Sequence, residues 1–98
     1  MLSIFVYNIM FTGSVIQEKY DYLVENIDSK RLLDILFAND VITSSQLEDL
    51  RTLKMDNANR KLMNILCEIP ITSFKWVLQA LKKTNQLDIY STLAEPGR

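Results

Sequence analysis

Residues Phe74–Leu81 run FKWVLQAL. Phe74, Val77, Leu78 and Leu81 fall at i, i+3, i+4 and i+7, which stacks them on one face of a helix, and Trp76 and Ala80 widen that face. Lys75, Gln79 and Lys82 are left for water. A surface helix needs an apolar arc of roughly 100°, and this arc is about twice as wide, so the spacing predicts the central helix of a small bundle.

The same period recurs on both sides of this helix. Ser14 and Gln17 form an S-x-x-Q capping box that opens a first helix over residues 14–27, with Ile16, Tyr20, Leu23, Val24 and Ile27 on one face. Asp28 or Ser29 caps a second, whose Leu32, Leu33, Leu36 and Phe37 face inward and which ends near Asn39. Thr43 and Gln46 repeat the box for a third helix, with Leu47, Leu50 and Leu53 inside. Asp56 or Asn57 starts a fourth that carries Leu62, Ile65, Leu66 and Ile69 until Pro70 stops it. Thr72 or Ser73 caps the fifth, and Asn85 is its natural left-handed stop. Leu87, Tyr90 and Leu93 give a short sixth before Pro96 and Gly97. Nothing after residue 13 alternates with period two, so an all-α, six-helix antiparallel bundle is expected.

At 98 residues the chain is expected to form one domain over residues 14–94, flanked by an apolar N-terminal extension, 1–13, and a C-terminal tail or linker start, 95–98. The first eleven residues, MLSIFVYNIMF, are too short for a membrane-spanning helix, and with no preceding Lys or Arg they fit a signal peptide poorly. An extension packed on the domain, a partner-binding or disordered tail, a targeting or membrane-surface segment and an aggregation-prone strand all remain open readings of them.

Composition narrows function by exclusion. Eleven basic and twelve acidic side chains give a net charge of −1, so no broad field exists to hold nucleic acid or an acidic membrane, and charge can act only in local patches. The chain has no histidine and one cysteine, Cys67. Cys-His and Ser-His pairs, His-containing metal sites and thiolate zinc sites therefore cannot be built, and the two glycines, Gly13 and Gly97, make no phosphate-binding loop. No catalytic residues, cofactor or metal are expected. Cys67 reads as a reduced, buried thiol in a cytoplasmic protein.

With the helices placed, Leu23–Leu93 resembles a caspase recruitment domain, the CARD branch of the death-fold superfamily. The resemblance rests on LVENI-x4-LLDIL in the first two helices, the VIT step at Val41–Thr43, LMNIL in the fourth, and SFKWVLQALKKTNQ, which is similar to the family's AFxxFLxALxxTxQ. One departure is Glu68-Ile69-Pro70-Ile71, where family members often have Arg-Gly-Pro. Residues 1–11 have no counterpart in the family pattern.

The resemblance implies a death-fold bundle and a non-catalytic module. Such a module binds other CARD-containing proteins (initiator caspase, adaptor or sensor) and further copies of itself as a helical oligomer, within apoptotic or inflammatory caspase-activating complexes. It implies an acidic surface on the second and third helices, for which Asp34, Asp40, Glu48 and Asp49 are the candidates. A basic surface on the first and fourth follows, from Lys19, Arg60 and Lys61. Trp76, at the margin of its apolar arc, is either a core residue or an apolar anchor for a partner or for the N-terminal segment. A CARD-only decoy that inhibits such assembly fits the same pattern. Two other classes stand beside it: a helix-turn-helix nucleic-acid binder, which would need a basic recognition helix, and a small helical binding domain that uses its apolar N-terminus at a membrane or partner.

Overall fold

A computed structural model describes residues 16–94, all of whose regular structure is helical. The helices are α1 (Tyr20–Asn26), α2 (Ser29–Ala38), α3 (Ser44–Thr52), α4 (Met55–Leu66), α5 (Ile71–Lys83) and α6 (Leu87–Ala94). Residues 16–18 are also helical and are broken from α1 by a turn at Lys19, so the described residues hold seven helical segments where six were expected. Gly13, Ser14, the apolar run 1–11 and the tail 95–98 lie outside the described residues, and with them the first capping box and the N-terminal domain boundary. No helix among the described residues is long and apolar enough to cross a membrane.

The core is one cluster of aliphatic side chains drawn from every helix. Leu23, Leu32, Leu36, Leu50, Leu62, Leu66, Val77 and Leu81 are all but sealed from water, and burying each such side chain contributes about 1.5–3 kcal/mol. The packing centre is shifted from the sequence expectation. Helix α2 packs on α3, α4 and α5, and α4 packs on α1, α2 and α3, whereas α5 packs mainly on α2 and α6. FKWVLQAL buries Phe74, Val77, Ala80 and Leu81, whereas Leu78 and Trp76 are only half-buried.

Two predicted inward residues point outward. Phe37 is 41% exposed, since it stands about a quarter turn from the middle of the arc formed by Ser29, Leu32, Leu33 and Leu36. Leu87 is 51% exposed because the buried pair of α6 is Ile89 and Leu93, and a position two residues from Ile89 lies on the opposite face.

Helix ends follow the backbone chemistry more closely than the expected caps. Thr43 and Gln46 form the predicted box: Thr43 Oγ1 accepts from the Gln46 N–H at 3.1 Å, and Gln46 Oε1 accepts from the Thr43 N–H at 2.8 Å. Asn85 sits at φ 62°, and the Gln86 N–H reaches the Leu81 carbonyl at 2.9 Å, the left-handed stop expected there. Helix α4 instead starts at Met55, before Asp56 and Asn57, and stops at Leu66, before Ile69. Helix α5 starts at Ile71 on Pro70, so Thr72 and Ser73 lie inside its first turn and neither caps it. Cys67 falls at the end of α4 and is half-buried, not buried as expected.

The turn between α1 and α2 has the most specific architecture. Ile27 is extended, at φ −77° and ψ 147°, which carries the Asp28 N–H away from the helical carbonyls of α1. Gln86 Oε1 accepts that N–H at 2.7 Å and Gln86 Nε2 donates to the Asp28 carbonyl at 3.1 Å. Asn59, almost fully buried on α4, donates from Nδ2 to the Val24 and Ile27 carbonyls, each at 2.8 Å, and accepts the Ser29 N–H at 3.2 Å. Asp28 occupies the N-cap position of α2, yet its side chain makes no capping bond, and Asn59 supplies the acceptor from outside.

Candidate interaction surface

The charged candidates are carried by α2, α3, α4, the turns that join them and, for Lys19, the turn before α1. Asp34 is on the exposed face of α2 and meets Arg51 of α3, whose Nη2 donates to Asp34 Oδ1 at 2.5 Å. Their side chains are 82% and 57% exposed, so the pair is solvated and contributes at most about 1 kcal/mol. Asp49 on α3 faces Lys61 on α4 at 3.7 Å, again with both groups partly in water. This second pair joins one expected acid to one expected base inside a single molecule.

Asp40 is placed by backbone geometry. It takes φ 61° just past α2, where the Val41 N–H reaches back to the Leu36 carbonyl at 2.9 Å. Asp and Asn are the residues besides glycine that tolerate this left-handed position, so the aspartate closes the helix while its carboxylate stays exposed. Glu48 is exposed on α3 and lines a shallow, open groove of 350 Å³ with Ser44, Ser45, Leu47 and Arg51.

On the basic side, Arg60 is exposed on α4, Lys61 is half-buried and held by Asp49, and Lys19 is exposed in the turn before α1. Among the described residues, Asp40 and Glu48 have no cationic partner, and Lys19 and Arg60 have no acidic one. The first helix does not extend the basic side, because Lys19 is accompanied by Glu18, Asp21 and Glu25, all exposed. Trp76 is half-buried against the core, with the Lys75 ammonium 5.1 Å from its ring centroid.

Sequence reasoning missed two of the cations that organise this surface. Arg51 neutralises Asp34, and Lys30 Nζ donates to the Arg51 and Leu53 carbonyls, closing the C-terminal end of α3 with the charge its dipole favours. Both lie off the apolar faces in sequence, but their targets become visible only when α2 is laid against α3. Cys67 lines an open groove with Gln17, Tyr20, Asn64 and Glu68, and burial, followed by the neighbouring Glu68 carboxylate, pushes its thiol above the usual range.

Compared with known protein families, curated proteins and solved structures, the chain has no match.

Proposed function

We propose that the chain is a non-catalytic, CARD-like interaction module with a death-fold arrangement of its six principal helices. It works in the cytoplasm, joining other CARD-containing proteins and further copies of itself into caspase-activating complexes. The observation that carries the reading is the charge left over after the internal pairs are assigned. Glu48 on α3 and Arg60 on α4 are exposed, opposite in sign and unpaired among the described residues, at positions where the resemblance implies a contact. The helix order supports the reading as well, since each segment that carries the resemblance lies on its own helix or turn.

Patches of this kind steer approach and fix register, and affinity then comes from area and repetition. Because the acidic and basic patches differ, a contact between two copies leaves one patch free at each end and can repeat. Asp34 is a weaker contributor than its position suggests, since a partner must first displace Arg51. Affinity capture with the chain as bait tests the proposal: wild type should retain CARD-containing proteins, and Glu48→Lys should lose them with its helical content unchanged. Equal capture by both forms, or capture of no such protein, would overturn it.

A further inference from the structure

The water-facing side of α5 is a basic stripe that the surface described above does not use. Thr72, Lys75, Gln79 and Lys82 fall at i, i+3, i+7 and i+10, and all are exposed, with Lys83 beside them. No acidic residue occurs in α5, and none of its lysines has a carboxylate within ion-pair distance among the described residues. Two of the ammonium groups lie against aromatic rings instead: Lys75 over Trp76 at 5.1 Å and Lys82 over Tyr90 at 5.4 Å from the centroids. A ring face attracts the cation without cancelling its charge, so the stripe is held in place and stays positive.

The complement is on the same chain. Glu18, Asp21, Tyr22 and Glu25 are all exposed at i, i+3, i+4 and i+7, and none of these acids has a cationic partner among the described residues. Lys75 and Lys82 stand about 10 Å apart along α5, and Glu18 and Glu25 have the same seven-residue separation across the turn at Lys19. No ion pair joins the two stripes within one molecule among the described residues, where α1 packs mainly on α4 and α5 on α2 and α6. We infer that the occupant of the α5 stripe is a second copy of this chain, which presents its Glu18–Glu25 stripe to Lys75 and Lys82. The two faces differ, so the contact is head-to-tail and adds copies in a row. It is separate from Glu48 and Arg60 and needs neither.

Sedimentation of the full chain at low salt tests it in a parent form, Glu48→Gln/Arg60→Gln, that lacks the other proposed contact. The parent should show a weight-average mass that rises with concentration above the 11.4 kDa monomer and falls back when salt is added. Adding Lys75→Glu/Lys82→Glu or Glu18→Lys/Glu25→Lys should leave it monomeric with unchanged far-UV circular dichroism, and adding Lys75→Gln/Lys82→Gln should weaken association to an intermediate degree. Combining the two reversals in one chain restores complementarity and should restore the mass increase. A monomeric parent, reversed forms that associate like the parent, or a combined form that stays monomeric would each overturn the inference. So would a parent that stays monomeric yet floats with phosphatidylserine vesicles through Lys75 and Lys82, which would assign the stripe to anionic lipid.

Discussion

Asn59 and Gln86 divide between them the backbone groups that the α1–α2 turn leaves unpaired: Asn59 takes the Val24 and Ile27 carbonyls and the Ser29 N–H, and Gln86 takes both backbone groups of Asp28. One amide comes from α4 and the other from the α5–α6 turn, so a local bend is fixed by two distant parts of the chain.

Removing the buried member should cost more. Asn59→Ala strands two carbonyls and one N–H in the interior, and a loss of about 2–4 kcal/mol is expected by urea denaturation. Asn59→Asp keeps the acceptor but sets a carboxylate against two carbonyls, so it should not rescue stability. Gln86→Ala, at a half-buried site where water can replace the side chain, should cost about 1 kcal/mol.

Phe74 is buried at the start of α5, and Phe74→Ala should lose on the order of 3–5 kcal/mol, enough to unfold a domain of ordinary stability. Trp76, half out of the core on the same helix, should tolerate Leu with a much smaller change in melting temperature.

These two sites mark what the sequence could and could not disclose. Helical period located the six principal helices, though not the break at Lys19, and most of the buried core, Leu23, Leu33, Leu36, Leu50, Leu62, Leu66, Phe74 and Leu81 among it. Capping chemistry placed Thr43–Gln46 and Asn85, because those signals are local. Asn59 gave no signal, since a lone polar residue on an amphipathic helix reads as solvent-facing until the unpaired groups of another turn are laid over it. The ion pairs were hidden for the same reason: Asp34 is legible as exposed, but Arg51 becomes its partner only through the packing of α2 on α3. Phe37 and Leu87 were misplaced at the edges of their arcs, where packing of neighbours and not period decides burial.

The left-handed stops can be tested by shape alone. Asp40 and Asn85 sit at φ 61° and 62°, so Gly at either position should be neutral or slightly stabilising, and Val should cost about 1–2 kcal/mol. If Asp40→Gly leaves stability intact but weakens association, the carboxylate and the backbone of that residue will have been separated experimentally.

Cys67 should be a slow nucleophile at neutral pH. Its thiol is pushed upward first by burial and then by Glu68, which keeps the thiolate population low. Since the folded state favours the protonated thiol, this group's contribution to stability should fall as pH rises past the ordinary thiol range. Glu68→Gln removes the smaller cause and should accelerate alkylation modestly, as read by mass spectrometry across pH.

The charge-patch account is tested most directly by light scattering on four samples at low salt: wild type, Glu48→Lys, Arg60→Glu, and an equal mixture of the two variants. Each variant keeps one intact patch, so a mixed pair can form one contact of the wild-type kind between the acid of one and the base of the other. The account predicts assemblies for wild type that shrink with salt, loss of the Glu48–Arg60 contact in each variant alone, and its recovery in the mixture, with far-UV circular dichroism unchanged throughout. Variants that assemble as wild type does, or a mixture no larger than its components, would contradict it.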